Sequence, residues 1–168
     1  RWLALASIPF AMVAEARHEA RRMLHALLPF ARRGIPIVGL EPSCLFTLRD
    51  EFRAMLPGED ADAIAAHAML IEEFLARESD AGRLALRLRS TGATHALLHG
   101  HCHQKAFDAV PAVEKVLRLI PGLDVETIES SCCGMAGSFG YEVAHYDVSM
   151  KMGEAALLPR VRDADSAT

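Results

Sequence analysis

All four cysteines of this chain fall in three short motifs. They are Glu41-Pro42-Ser43-Cys44, His99-Gly100-His101-Cys102-His103-Gln104-Lys105 and Ser131-Cys132-Cys133-Gly134-Met135-Ala136-Gly137-Ser138-Phe139-Gly140. Thiolate is the metal-binding form of cysteine. Four thiolates together make a soft donor set suited to iron–sulfur clusters or zinc. Each motif follows an apolar run that reads as a strand and precedes a segment that reads as a helix. A helix N-terminus offers unpaired amides and partial positive charge, which is expected to favour the thiolate at Cys44, Cys102, Cys132 and Cys133. Gly134 and Gly137 permit tight turns and close backbone approach. His101 and His103 flank Cys102, and an imidazole there can ligate a metal or donate to a ligand sulfur. Strand alternation would set His99, His101 and His103 opposite Cys102, unless the strand breaks there. Lys105 can balance thiolate charge, and Glu41, with Arg49, Asp50 and Glu51, can fix the Cys44 loop. Buried structural thiols and a solvated acidic helix start are the bland alternatives.

Those motifs need a scaffold that presents strand ends side by side. From Met12 to Leu28, apolar residues recur at helical spacing, with Pro29 and Gly34 expected to bound the helix. Ile35–Leu40 reads as a buried strand with Pro36 outside the ladder. Leu45–Leu56 reads as a helix with Ser43 as its N-cap, and Ala61–Arg77 as an amphipathic helix burying Ile64, Met69, Leu70, Phe74 and Leu75. Residues 78–93 read as an edge strand or a connection. Thr94–His99 and Val125–Glu129 are strands separated by a helix from Pro111 to Leu119. Tyr141–Leu158 reads as a helix stopped by Pro159, and the tail Asp163–Thr168 is polar. Strands alternating with helices predict an α/β fold: a parallel sheet with flanking helices in Rossmann-like βαβ units, the cysteines at strand C-termini.

The chain has 168 residues, 51% of them hydrophobic and 24% charged, which suits one domain, residues 1–168. The net charge of −4 gives no basic field for nucleic acid. No apolar run reaches the ~18 residues of a membrane span. The longest candidate, Trp2–Ala16, is interrupted by Pro9 and Glu15 and lacks a signal-type basic start. Four cysteines in a chain of this size do not make a disulfide scaffold, so a reducing cytoplasm is expected. A chain that starts without methionine is expected to be part of a longer protein. Gly137-Ser138-Phe139-Gly140 is neither a nucleophile elbow nor a dinucleotide fingerprint, so no catalytic residue is assigned.

Glu41-Pro42-Ser43-Cys44, His101-Cys102-His103-Gln104-Lys105-Ala106 and Cys132-Cys133-Gly134-Met135-Ala136-Gly137-Ser138-Phe139-Gly140 resemble the cysteine-rich CCG domain. That domain occurs in heterodisulfide reductase and in iron–sulfur subunits of glycolate oxidase, lactate-utilisation proteins and anaerobic glycerol-3-phosphate dehydrogenase. The likeness runs from about Met12 to Arg162. It is strongest to the C-terminal iron–sulfur part of FAD-linked oxidases of the D-lactate and D-2-hydroxyglutarate dehydrogenase kind. The resemblance implies an electron relay in a flavin-linked 2-hydroxyacid dehydrogenase. Electrons from an FAD domain would pass through ferredoxin-like domains and a 4Fe–4S cluster held by Cys44, Cys102, Cys132 and Cys133, and on to a quinone or another acceptor. A cytoplasmic location, peripheral at the inner membrane, goes with that role. Two departures stand out. Such domains usually carry two cysteine modules, yet no Cys-Cys-Gly lies in residues 1–30, and relatives often continue to a further cysteine beyond the final helix. A structural zinc module that docks subunits is the alternative, with four thiolates or three and an imidazole. A thiol-based redox site, as in relatives with heterodisulfide chemistry, is another.

Overall fold

A computed structural model describes residues 12–130 and 132–164. Most of Trp2–Ala16 and of the polar tail lies outside them. The chain divides into two compact units at Arg77/Glu78, and each is an α/β assembly around a two-stranded parallel sheet.

The first unit opens with α1 (Val13–Ala31). Its spacing of apolar residues buries Ala16, Ala20, Leu28 and Ala31 on one face, which packs on the helix Glu59–His67. The helix runs through Pro29, where the sequence suggested an end, and closes at Arg32 before Gly34 turns the chain at φ +72°. The predicted Ile35 strand is shorter, β1 (Ile37–Gly39), with Pro36 outside it. The expected Leu45–Leu56 helix is two helices, α2 (Pro42–Arg49) and α3 (Glu51–Met55), broken at Asp50, whose φ/ψ of −120°/−77° are not helical.

The largest departure falls in Ala61–Arg77. In place of one helix there are α4 (Glu59–His67), β2 (Ala68–Leu70) and α5 (Ile71–Asp80). β2 pairs in parallel with β1, Ile37 opposite Ala68 and Gly39 opposite Leu70. Two local bonds set its limits. The His67 ring bonds the Ala63 carbonyl at the end of α4 (2.8 Å), and the Leu70 N–H donates to the Glu73 carboxylate at the start of α5 (2.8 Å). Phe46, Phe52, Ile64 and Leu70 are fully buried in this unit. Burying each such side chain stabilises the fold by roughly 1.5–3 kcal/mol. Arg49 clasps the layers together: its Nε donates to the Ala68 carbonyl, and its guanidinium forks onto Glu73 at 2.9 and 3.0 Å.

In the second unit, residues 83–91 form an irregular connection rather than an edge strand. β3 (His95–Leu98) leads to α6 (Cys102–Ala106) and α7 (Val110–Leu117), and β4 (Asp124–Thr127) returns parallel to β3. Val125 and Ile128 are buried, and the Ile128 N–H donates to the Leu98 carbonyl beyond the last strand residues. The predicted Tyr141–Leu158 helix is instead two 3₁₀ turns, Phe139–Tyr141 and Val143–His145, followed by α8 (Tyr146–Glu154). Pro159 does not stop the chain's last helix; it sits inside α9 (Leu157–Arg162), where a first-turn proline removes no helical hydrogen bond. Among the described residues, no helix is long and apolar enough to cross a membrane.

Candidate functional site

Cys44 belongs to the first unit. Glu41, not Ser43, is the N-cap of α2, and Pro42 fills the first helical position. The Glu41 carboxylate accepts from the Cys44 N–H at 2.6 Å and from Ser43 Oγ at 2.8 Å. Desolvation pushes this carboxyl up, but the hydrogen bonds from Cys44 and Ser43 outweigh it and bring the pKa down to about 2. The same carboxylate acts against ionisation of the thiol. Burial, then the hydrogen bond to Glu41 and its negative charge, push Cys44 up to about 12. The expected activation by the helix N-terminus is therefore overturned here. The helix amide is spent on Glu41, and the nearest full charge to the sulfur is negative.

The second unit carries the other three thiols. β3 ends at Leu98, so the alternation argument for His99, His101 and His103 lapses: these residues lie on a loop and a helix start. His101 is the N-cap of α6. Its Nδ1 accepts from the His103 N–H at 3.2 Å, while Gln104 Oε1 accepts from the His101 N–H at 3.0 Å. This reciprocal cap leaves the His101 proton on Nε2 when the ring is neutral. The His101 and His103 rings stack with centroids 5.3 Å apart.

Cys102 occupies the first helical position of α6. The neighbouring Cys132 and Cys133 act electrostatically on its thiol. The residue as a whole is exposed, but its sulfur is partly covered. That desolvation, and then the neighbouring Cys132, raise its pKa, against the opposing charge of Lys105. Here too the N-terminus of a helix does not yield a lowered thiol pKa. The Gly134 N–H donates to Cys132 Sγ at 3.3 Å, an amide–sulfur contact of the kind that tunes cluster sulfurs.

Gly134 has φ +89°, and a Cβ there would lie 2.2 Å from the Ser149 carbonyl oxygen. The close approach foreseen from the glycines is thus to the backbone of α8. Gly137, at φ +65°, serves the turn alone, with nothing within 4 Å of a would-be Cβ. Lys105 reaches across to the Ser130 carbonyl at 2.6 Å. His99 Nδ1 meets Ser130 Oγ at 2.8 Å. Sequence reasoning did not single out Ser130, Gln104 or Ser149. Gln104 was legible as the third residue of a capping box; Ser130 was not, because its partners lie far away in sequence.

The structure thus brings Cys102, Cys132, Cys133, Lys105 and Gly134 together in one unit and pairs Cys44 with Glu41 in the other. All four cysteines are free thiols. The donors are chemically suited to a thiophilic metal or cluster. Among the described residues, however, no set of three or more His, Cys, Asp or Glu side chains is disposed to hold a metal ion.

Comparison with known proteins gives dehydrogenases. The chain is 31% identical over 121 residues to a subunit of the anaerobic glycerol-3-phosphate dehydrogenase of Escherichia coli (strain K12), covering 72% of this chain and 30% of that protein. It is 26% identical over 158 residues to the D-2-hydroxyglutarate dehydrogenase of the same strain, covering 88% of this chain and 15% of that protein. For the D-2-hydroxyglutarate dehydrogenase of Haemophilus influenzae (strain ATCC 51907 / DSM 11121 / KW20 / Rd), the identity is 28% over 155 residues, with 87% and 14% covered. The chain therefore spans less than a third of the length of these relatives. No family model and no solved structure matches it. The chain is related to parts of oxidoreductases.

Proposed function

We propose that this chain is the CCG-type iron–sulfur relay of a flavin-linked dehydrogenase acting on a 2-hydroxy acid. In this reading Cys44, Cys102, Cys132 and Cys133 supply the ligands of a 4Fe–4S cluster. The observation that carries it is that Cys102 and the Cys132–Cys133 pair follow β3 and β4, two strands paired in parallel, with Cys132 and Cys133 acting electrostatically on the Cys102 thiol. Ligand sites of open α/β sheets form at such strand ends. The dehydrogenase relatives support a redox role.

When bound, the cluster supplies one-electron transfer. The chain's own residues do the rest. Lys105 sets a positive charge near the Cys102 thiol, which favours its ionised form. The Gly134 amide aims at Cys132 Sγ. Burial and the Glu41 carboxylate keep the Cys44 thiol protonated, so ligation at Cys44 must release that proton. Electrons would come from an FAD domain and ferredoxin-like domains of the parent protein or complex and leave to a quinone or another acceptor, at the cytoplasmic face of the inner membrane. Tyr141, Val143 and Tyr146 are strongly exposed after the thiol loop, and such apolar surface suits a docking partner.

Anaerobic reconstitution of the parent protein with iron and sulfide, read by visible absorption and EPR, tests the reading. A cluster signal that is lost on Cys→Ser change at each of the four positions is expected. Its absence refutes the relay. About one equivalent of zinc without acid-labile sulfide would instead establish the structural zinc module.

A further inference from the structure

The Cys132–Cys133 loop has to be held in place once the β3–β4 ladder ends. Its last backbone bond to β3 is from the Ile128 N–H to the Leu98 carbonyl, at 2.8 Å. Cys132 lies four residues further on. Between them sits Ser130, and two side chains converge on it. Lys105 Nζ donates to the Ser130 carbonyl at 2.6 Å and lies 3.4 Å from its Oγ. His99 Nδ1 lies 2.8 Å from the same Oγ.

Both anchors belong to the segment that carries Cys102. His99 lies on the loop three residues before that cysteine, and Lys105 follows it by three residues in α6, close to one helical turn. The path of the lysine is also shaped by its neighbours. A Cβ at Gly100 would meet Lys105 Cε at an ordinary contact distance of 3.6 Å, so the stem lies against this position, while Val110 Cγ2 at 2.6 Å is what calls for glycine there. A bond from an ammonium to a backbone carbonyl is charge-assisted and stronger than a neutral one. It also satisfies a carbonyl that has lost its ladder partner.

We propose that Lys105 and His99 are positioning residues which, by clamping Ser130, set the Cys132 sulfur against the Cys102 sulfur. The clamp acts on the distance between two thiols. It deepens the reading of Cys102 and Cys132 as joint ligands and rests on it, but it operates in the metal-free chain.

Phenylarsine oxide is a suitable probe, because trivalent arsenic binds tightly only when two sulfurs chelate it. Each thiol adds to arsenic, two As–S bonds replace the As–O bond, and one water leaves. The reduced, metal-free 168-residue chain carrying Cys44→Ser and Cys133→Ser leaves Cys102 and Cys132 as the chelating pair. Adding Lys105→Met is expected to weaken the arsenical about tenfold, the scale of one lost charge-assisted hydrogen bond. Lys105→Arg should recover part of that affinity. Ser130→Ala and His99→Ala keep the lysine charge, so about threefold losses in them report geometry rather than electrostatics. Far-UV circular dichroism checks the fold, and if Lys105→Met does not fold, Ser130→Ala decides. Arsenical affinity within about twofold of the parent in folded Lys105→Met and Ser130→Ala overturns the clamp. Weakened chelation in a protein that never takes up a cluster leaves the clamp standing and removes only the relay.

Discussion

Gly134→Ala offers the sharpest test of how the thiol loop is built. Two costs add at this position. An alanine at φ +89° sits in left-handed backbone, at about 1–2 kcal/mol. Its Cβ would also meet the Ser149 carbonyl oxygen at 2.2 Å, the carbonyl carbon at 2.9 Å and Ser149 Oγ at 3.0 Å. Two of these atoms are backbone of α8 and cannot swing away like a side-chain tip. The loop or the helix must retreat by close to an ångström, which costs about 1–3 kcal/mol in a packed site. The combined loss of about 2–5 kcal/mol corresponds to a fall in melting temperature of about 5–20 °C for a chain of this size. Gly137→Ala is the control. It has φ +65° and open space around the would-be Cβ, so it carries the backbone term alone, a fall of about 2–8 °C. Thermal unfolding of the two variants, followed by circular dichroism under reducing conditions, separates the contributions. Melting of Gly134→Ala within about 2 °C of Gly137→Ala would refute the argument, because the contact with α8 would then demand nothing of residue 134.

Three other outcomes follow from the same packing. Arg49→Met should destabilise the first unit by about 1–3 kcal/mol in urea unfolding, since it strips Glu73 of its forked partner and leaves the Ala68 carbonyl without its Nε donor. Arg49→Lys should recover little, for a single ammonium cannot serve the Ala68 carbonyl and the Glu73 carboxylate from the separate positions of Nε and Nη2. Gly39→Ala and Gly100→Ala should each cost about 1–3 kcal/mol by overpacking, the first against buried Leu45 at 2.8 Å and the second against Val110 at 2.6 Å. Urea midpoints that match the parent would show that these side chains yield freely. Finally, burial, and then the charges of Lys105 and His101, hold His99 below its ordinary pKa of 6.5. The unfolded chain therefore binds the proton first as pH falls, so this contribution is intact above about pH 6.5 and is lost on acidification below it. Urea midpoints between about pH 7.5 and 5.5 should fall less steeply in His99→Gln than in the parent, and equal slopes would contradict the assignment.

Where the chemistry sits can be read along the chain. The three cysteine motifs, the short apolar runs before them and the turn glycines are local features, and β1, β3, β4 and the α6 cap follow from a few adjacent residues. Other features came into being on folding. Ala68-Met69-Leu70 carries no signal of its own against a helix; it becomes a strand because β1 offers a parallel edge, while His67 and Glu73 close the helices on either side. The single predicted sheet is two separate pairs of strands, a matter of which edges meet across the chain. The Cys44 thiol rises where a helix N-terminus alone would lower it, because folding buries it and brings the Glu41 side chain back onto it. Ser130 gained its role from Lys105 and His99, whose contacts exist only after β3 and β4 pair. Caps and turns are set by neighbours within a few residues and so are legible in the sequence, whereas pairing and charge environments depend on groups that folding brings from far away.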